Sequence, residues 1–508
     1  MNEHEREIFE KVRGKKLREF QMAFITSAEV KRWMQVLSVM EQERRFTIGE
    51  LSERLAISQR TLIKDIQAFK NHFGTSIELR SNYSGYYFEE RNRRDYQEKK
   101  EQLLGNEVLF EIVGNVFWGK DFTVADLAHQ HSYAESTLRR FLIRIRPVLA
   151  EYELTLAFNP VNFLGEEANI RKFFFDFYYS SEQTPYTIRP PEDLHTLVLN
   201  ELSGKLGKYE LGTGITISAF YYQLYIAMVR VHQNHFVTLP EWLKASIYQE
   251  KDFHLLYSLQ ERIKQEYEIY LPKEEFAWIH LSIISKRTIH RVDQEQTFNQ
   301  RFSHWKNLQF IVSDYLSDPF FEQWDTDTLG QFMTSFFISR LMNEAVSPVL
   351  NKELEEIHWM VKKNDKQIYE AHKQFLLKHA PVLSFSDQYF EDIVVSFTAN
   401  MTLLFHYYQP VKKVLFLLEG DYLVVQSIRM QARVLLGEHH KLLFMPLQEL
   451  TPERLNNAHV DLIVTNYRPY LLDFALETEY VLMGSIPTAQ DWARVKHQLN
   501  PLIDQETF

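Results

Sequence analysis

The chain has 508 residues, 45% hydrophobic and 25% charged, which is an ordinary globular composition and predicts several domains. It contains no cysteine, which excludes disulfides, thiolate zinc sites and cysteine nucleophiles. The net charge of −11 does not favour nucleic-acid binding by the chain as a whole, so any such site must concentrate its basic residues locally. We find neither a secretory signal nor an apolar run of membrane-spanning length, and therefore expect a cytoplasmic protein without a membrane segment.

Residues 1–24 are strongly charged and predict an N-terminal tail or a short helix. The segment 46–73 (FTIGELSERLAISQRTLIKDIQAFKNHF) then predicts two helices around a short break, which is the helix-turn-helix plan. Thr47 and Glu50 form a capping box for the first of these helices. The second helix has its apolar positions at Leu62, Ile63, Ile66 and Phe69. Its opposite face carries the side chains that we expect to reach phosphates and base edges in a major groove, namely Gln59, Arg60, Lys64 and Gln67.

Two short β-type segments follow, at 77–80 and 86–88, around an Asn/Ser/Gly turn. Such a pair predicts a hairpin, and a hairpin directly after a helix-turn-helix is the wing of a winged helix. Arg80 lies on this wing, where we expect it to contact the DNA backbone. We predict one winged helix-turn-helix domain over residues 25–95.

The same pattern returns 76 residues later, with Phe122–Thr123 in the place of Phe46–Thr47. Internal repetition at one register is rarely produced by chance spacing. A second recognition helix is predicted from Glu135 to Arg146, and a second wing over residues 154–164. We expect DNA contacts from the basic residues of this helix, Arg139, Arg140 and Arg144. The second winged helix-turn-helix domain is predicted over residues 96–166.

Residues 167–409 have helical periodicity, broken at prolines such as Pro381. We predict two helical bundles, 167–291 and 292–409, which meet near Val292–Thr297. Two pairs of histidines lie close together in the sequence, His232 with His235 and His439 with His440. Neither pair has convergent acidic or histidine partners, so we predict no metal site. No phosphate-binding glycine loop or catalytic serine motif occurs, so we predict neither a cofactor nor enzymatic activity.

From residue 410 onward, compact apolar runs alternate with helical segments. The runs at 412–418, 441–444, 461–464 and 480–483 predict the parallel strands of a small α/β domain over residues 410–508. In such folds the loop after the first strand is the usual ligand site. Here that loop is Glu419–Asp421, which lacks Cys, Ser, Thr and His, so we expect no covalent chemistry there.

This order of parts resembles the Mga family of Gram-positive bacterial transcription regulators, which includes relatives of the anthrax toxin activator. The resemblance rests on the paired helix-turn-helix segments and on the junction FLGEEANIRKFFFDFYY (163–179), which is similar to the linker into phosphotransferase-regulation domains (PRDs). It implies a multidomain, predominantly α-helical virulence regulator with two PRD-like bundles and a C-terminal α/β domain like enzyme IIB of sugar phosphotransferase systems. The implied partners are double-stranded DNA, a second copy in a homodimer, RNA polymerase and phosphotransferase-system proteins.

Most of the residues that are phosphorylated in proteins with such domains are absent from this sequence. Gln223 stands where the first PRD motif has its histidine, Met333 stands at the equivalent place in the second bundle, and the enzyme IIB cysteine is absent. His280 remains as the candidate for phosphorylation. Three alternatives stay open: an RNA-binding antiterminator with PRDs, a phosphotransfer enzyme, and a scaffold that does not bind DNA. Antiterminators of that kind have a small β RNA-binding module at the N-terminus, which the two winged helices do not resemble.

Overall fold

The computed structural model describes residues 19–83, 85–179, 184–202, 210–211, 213–364, 366–437, 439–445, 459–470 and 478–500. The chain forms two compact units: residues up to 286 with 343–350, and residues 287–342 with 351–508. Helices predominate in both units. Each helix in the described ranges is too short or too polar to cross a lipid bilayer.

The described part of the first unit begins with a short helix and a winged helix-turn-helix, hereafter the first module (residues 28–90). Its elements are α1 (Glu19–Met22), α2 (Ala28–Glu43), β1 (Arg45–Phe46), α3 (Ile48–Leu55), α4 (Gln59–Phe73), β2 (Ile77–Asn82) and β3 (Gly85–Glu90). The three strands form an antiparallel sheet in the order β1-β3-β2. Gly85 is required beside β1, because a Cβ on it would lie 2.5 Å from the carbonyl oxygen of Phe46. The predicted hairpin is confirmed.

A second winged helix-turn-helix follows, hereafter the second module (residues 108–164). Its elements, with the helix that precedes it, are α5 (Arg93–Leu103), α6 (Val108–Phe117), α7 (Val124–Gln130), α8 (Glu135–Arg144), α9 (Arg146–Ala150), β4 (Thr155–Phe158) and β5 (Val161–Leu164). The wing strands β4 and β5 pair in an antiparallel hairpin. The predicted recognition helix ends at Arg144 instead of Arg146, because the chain turns at Ile145 into the short helix α9.

The junction motif forms a long helix that packs into the second module. This helix, α10 (Glu167–Tyr178), buries Phe173 and Phe177. The ring of Phe24 lies 5.0 Å from that of Phe177. Residues 21, 22 and 24, which were expected in a tail or a short helix, are part of this core, at 1%, 6% and 0% exposure.

The helices of the first bundle follow α10 and complete the first unit. They are α11 (Glu192–Leu202), α12 (Ile217–His232), α13 (Glu241–Ile247), α14 (Lys251–Tyr257), α15 (Gln260–Tyr267) and α16 (Lys273–Ile284). Their apolar sides form a closed interior in which Leu224, Phe253 and Phe276 have no exposed surface. Burial of such side chains is the main force that holds a helical bundle together.

The second unit contains further helices and the α/β domain. The helices are α17 (Val292–Arg301), α18 (Leu308–Leu316), α19 (Thr326–Val346), α20 (Glu355–Asn364), α21 (Lys366–Leu383) and α22 (Phe390–Tyr407). The last four residues of α19 belong to the first unit. The expected boundary between the bundles at 291/292 stays a prediction; α17 begins at Val292, and the two compact units divide nearby, between residues 286 and 287. The expected break at Pro381 is wrong: Pro381 lies in the last turn of α21, where one missing backbone donor does not stop the helix.

The C-terminal region folds as a parallel α/β layer. Its elements are β6 (Lys413–Leu417), α23 (Tyr422–Leu436), β7 (Lys441–Phe444), β8 (Leu462–Thr465), β9 (Tyr480–Leu482) and α24 (Ala489–Leu499). All three strand pairings are parallel, in the order β7-β6-β8-β9. The four predicted strands each overlap an observed one. Val414 and Phe416 on one face of β6 and Leu415 and Leu417 on the other are all buried, as a central parallel strand requires.

Candidate nucleic-acid interface

The same capping box starts the helix-turn-helix of both modules. In the first module the Glu50 amide donates to Thr47 Oγ1 (3.1 Å), and the Thr47 amide donates to the Glu50 carboxylate (2.9 Å). Thr123 and Asp126 repeat this pair at 3.2 and 2.8 Å. The hydrogen bonds from Thr47 lower the pKa of Glu50, and those from Thr123 lower the pKa of Asp126. The predicted box is confirmed, and its repetition fixes the correspondence between the modules.

The first recognition helix, α4, presents a polar face to solvent. Gln59, Arg60, Lys64 and Gln67 are all exposed. Leu62, Ile66 and Phe69 are buried on the opposite side. The placement of Ile63 on the apolar face is wrong, since its side chain is 54% exposed. Ile63 follows Arg60 by three residues and precedes Gln67 by four, so helical geometry puts it on their side.

A buried carboxylate fixes α4 against α2. Asp65 is 3% exposed and accepts hydrogen bonds from Arg32 Nε (2.7 Å), Arg32 Nη2 (2.9 Å) and Trp33 Nε1 (2.9 Å). The hydrogen bond to Asp65 raises the pKa of Arg32. The role of Asp65 was not predicted from the sequence. Its signal was an acidic residue three positions after Leu62 and four before Phe69, on the buried face.

The first wing is close to neutral in charge. Glu78 pairs with both Arg80 and Arg91, and Arg91 also lies 3.2 Å from Glu89. Hydrogen bonds from Arg80 and then Arg91 lower the pKa of Glu78. The side chain of Arg80 is exposed, as a phosphate contact requires, but its charge is already compensated within the wing.

The second recognition helix, α8, carries uncompensated positive charge. Leu138 and Leu142 are buried, while Arg139, Arg140 and Arg144 are exposed. Within the described ranges, no carboxylate lies in ion-pair distance of these three side chains or of Arg146, which begins α9. The guanidiniums of Arg139 and Arg146 lie over the ring of Phe158 in the second wing, with their Cζ atoms 4.8 and 5.2 Å from its centroid.

The charge of the chain is divided unevenly along its length. Residues 1–166 contain 25 Lys and Arg against 25 Asp and Glu, so that this part is neutral and the whole net charge of −11 lies in residues 167–508. Both recognition helices are positive within this neutral part. An exposed cationic helix with a hairpin beside it matches the depth and charge of a DNA major groove.

The remaining residues of interest lie away from these helices. His280, on α16, is 3% exposed, and its ring packs 5.9 Å from that of Phe253. Gln223 is half-buried and Met333 is buried. A cleft of about 540 Å³ opens beside the loop Glu419–Asp421, at the carboxyl ends of the parallel strands. In the described ranges, no group of three or more His, Asp or Glu side chains is arranged to hold a metal ion.

Two recognition helices, each followed by a wing, define a tandem winged helix-turn-helix protein. Residues 92–178 match the Mga helix-turn-helix domain, and residues 198–286 match the PRD domain. The chain is 23% identical over 306 residues to the capsule synthesis positive regulator AcpB of Bacillus anthracis, which covers 57% of this chain and 61% of that protein. It is 24% identical over 234 residues to the capsule synthesis positive regulator AcpA of the same organism, which covers 44% and 48%.

These similarities confirm the resemblance found in the sequence. The chain carries the Mga helix-turn-helix domain followed by a PRD domain, and it is homologous to AcpB and AcpA. The matched region spans less than two thirds of the length of either relative. The Mga match begins at residue 92, so it covers α5, the second module and α10.

Proposed function

We propose that this protein is a Mga-type regulator that binds duplex DNA through its two winged helix-turn-helix modules and thereby controls transcription. The observation that carries the proposal is the pair of exposed cationic recognition helices in two modules of the same architecture. Cations on such helices bind DNA by displacing condensed counterions from the phosphates. The proposed contacts are Gln59, Arg60, Lys64, Gln67, Arg80, Arg139, Arg140 and Arg144.

The test is a titration of the full-length chain against a labelled duplex at several salt concentrations. The wild type should bind, with an affinity that falls steeply as salt rises. Arg139→Ala with Arg140→Ala, and separately Arg60→Ala with Lys64→Ala, should each reduce the slope of log K against log salt by about 2. Lys363→Ala with Lys366→Ala removes two exposed cations of the second unit and serves as the control. Unchanged affinity in both recognition-helix variants would remove the proposal.

The antiterminator alternative predicts a different ligand. A structured RNA hairpin should compete poorly against the duplex, because the narrow major groove of A-form RNA does not admit a recognition helix. Preferential binding of the hairpin would favour the antiterminator. If neither ligand is bound while the chain is folded, the scaffold alternative stands.

We also propose that the protein works as a homodimer assembled through an enzyme IIB-like C-terminal domain. Leu423, Met430 and Val434 are 63%, 66% and 62% exposed and lie along one side of α23, while Ile428 and Ala432 face the sheet. Unpartnered apolar surface of this kind favours association with a second copy. Met430→Glu with Val434→Glu should convert dimer to monomer in sedimentation velocity. An unchanged sedimentation coefficient would place the contact elsewhere.

On this proposal the protein acts in the cytoplasm, and its further partners are RNA polymerase and, through His280, phosphotransferase-system proteins. Because His280 is only 3% exposed, phosphoryl transfer to it requires the bundle to open. Incubation with the general phosphotransferase components and radiolabelled phosphoenolpyruvate tests this. Label that persists in His280→Ala would exclude His280 as the site.

A further inference from the structure

Three elements of the second module meet at one aromatic ring. Phe158 is the last residue of β4, Arg139 lies on α8, and Arg146 begins α9. The two Cζ atoms lie 4.8 and 5.2 Å from the ring centroid, within the range of cation–π attraction. By these distances the two guanidiniums are no more than about 10 Å apart. The ring therefore gathers two positive charges at the junction of recognition helix and wing.

This contact leaves the arginines able to bind an anion. A guanidinium that lies over a ring uses its flat face, while its five N–H donors point outward in its own plane. Arg139 and Arg146 are both exposed, and so are Asn159 and Pro160, which follow Phe158 at the wing turn. Glu135 precedes Arg139 by one helical turn but does not pair with it. The donors are therefore free to meet phosphate oxygens in the bidentate geometry that arginine favours.

The first module lacks this arrangement at the matched positions. The spacing of 76 residues places Ile63 opposite Arg139, Lys70 opposite Arg146 and Asn82 opposite Phe158. The strand registers support the match, since Asn82 pairs with Gly85 just as Phe158 pairs with Val161. At these matched positions the first module thus has one cation instead of two, and an asparagine in place of the ring.

We infer that Phe158 is a positioning residue that holds Arg139 and Arg146 as a paired phosphate clamp, which lets the second module grip duplex DNA of any sequence. The inference rests on the proposed DNA binding. Phosphates carry no base sequence, so a clamp of this kind supplies affinity and not discrimination. Holding both long side chains in place before binding reduces the conformational entropy that they lose in the complex.

The experiment measures the affinity of the full-length chain for a random-sequence 30-base-pair duplex across a salt series. Phe158→Ala should weaken binding about tenfold at constant salt, because two long arginine side chains must then be ordered when the complex forms. It should leave the salt slope unchanged, because both arginines remain. Arg139→Ala with Arg146→Ala should lower that slope by about 2, and adding Phe158→Ala to that pair should change affinity less than twofold.

Two conservative variants separate positioning from packing. Phe158→Tyr keeps an aromatic face and should bind like the wild type, whereas Phe158→Leu keeps the apolar contact but no π system and should bind like Phe158→Ala. Wild-type affinity in Phe158→Leu, or an additive loss in the triple variant, would overturn the inference while leaving DNA binding intact. Absence of duplex binding by the wild type would instead remove the proposed function. If Phe158→Ala fails to fold, the Leu and Tyr pair decides the question.

Discussion

The two winged helix-turn-helix modules share a backbone plan but differ in how they are held together and in what they present to solvent. In both, a capping box centred on a threonine starts the helix-turn-helix, and a two-stranded wing follows the recognition helix. The side chains differ at matched positions of the two recognition helices: Gln67 corresponds to Ile143, and Asp65 corresponds to Phe141. The frame depends on a few caps and buried apolar positions, so the exposed face of the recognition helix is able to change without disturbing it.

The exposed polar side chains of the two recognition helices indicate different roles in DNA binding. The exposed face of α4 mixes the amides of Gln59 and Gln67 with the cations of Arg60 and Lys64, while that of α8 carries three arginines. Amide side chains make paired hydrogen bonds to adenine edges, whereas arginine binds phosphates as well as guanine edges, and its phosphate contacts carry no sequence information. We therefore expect the first module to contribute most of the base discrimination and the second most of the affinity.

The second module should be coupled to the first bundle, and breaking that coupling should have the largest effect. Arg171 on α10 donates from Nε to Glu167 (2.8 Å) and pairs with Glu275 of α16. Arg230 holds Glu167 from the other side at 2.7 and 2.9 Å. Burial by itself would raise the pKa of Glu167, but the hydrogen bond from Arg230 and the charges of Arg171 and Arg230 lower it overall.

Arg171→Ala should destabilise the first unit by roughly 3–5 kcal/mol, because it leaves the carboxylate of Glu275 buried without its partner. Hydrogen exchange resolved by peptide is the suitable measurement, since a chain of several domains need not unfold in two states. Protection should fall in both α10 and α16, and less in α2 and α4. Arg171→Lys keeps one charge, so its hydrogen-exchange protection should lie between that of the wild type and that of Arg171→Ala. A loss confined to α10 would show that the buried ion cluster does not join module and bundle.

The next effect should appear in the first module alone. Asp65→Ala leaves Arg32 and Trp33 without their shared acceptor and should destabilise this module by about 3 kcal/mol, while Asp65→Asn retains part of the hydrogen bonding and should cost less. Phe141→Ala is the matched change in the second module. Phe141 is half-buried and contacts Tyr133 edge-on, so about 1 kcal/mol is expected there. Equal losses of stability in Asp65→Ala and Phe141→Ala would contradict the view that a buried carboxylate holds the first recognition helix and an aromatic contact holds the second.

The proposed division of work predicts a change in specificity at one exposed amide. Gln67→Ala should reduce the preference between selected and random duplexes about tenfold, the scale of one paired base contact. Ile143→Ala, the matched change in the second module, should leave that preference unaltered. In vitro selection from a random duplex pool followed by competition binding measures both. If Ile143→Ala reduced the preference for selected over random duplexes, the second module would be the one that recognises bases.

Sequence patterns predicted the frame well but not the contacts between distant residues. Capping boxes, wing turns and the apolar strand of β6 are local features, so the elements at 48–73, 77–90 and 413–417 were predictable from a few neighbouring residues. The pairing of Asp65 with Arg32 and the ring of Phe158 under two arginines depend on tertiary packing that no local pattern records. Ile63 was misplaced because one apolar residue beside a buried Leu62 looks like core until the whole helix face is considered.

The smallest effects should be shared by the modules, since both use the same cap. Thr47→Ala and Thr123→Ala should each cost about 1 kcal/mol, and nearly the same amount, because the hydroxyl in each satisfies one amide of the first helical turn. Local exchange rates in α3 and α7 measure this. A loss of stability in only one module would show that the two capping boxes, though alike in geometry, do not stabilise their helices equally.

The carboxylates of these boxes give the same comparison a dependence on pH. The pKa values of Glu50 and Asp126 are lowered by hydrogen bonds from Thr47 and Thr123, so each stabilises the folded state above its ordinary pKa of 4.5 or 3.8. That stabilisation is lost as pH falls through the lower folded-state value. The difference in local exchange between the wild type and Glu50→Gln, or Asp126→Asn, should therefore be present at pH 7 and shrink as pH falls below the ordinary pKa of the carboxyl group towards its lowered folded-state pKa. A difference that persists in acid would mean that the substituted amide disturbs the cap by its shape, and the charge of the carboxylate would then have no part in holding either module.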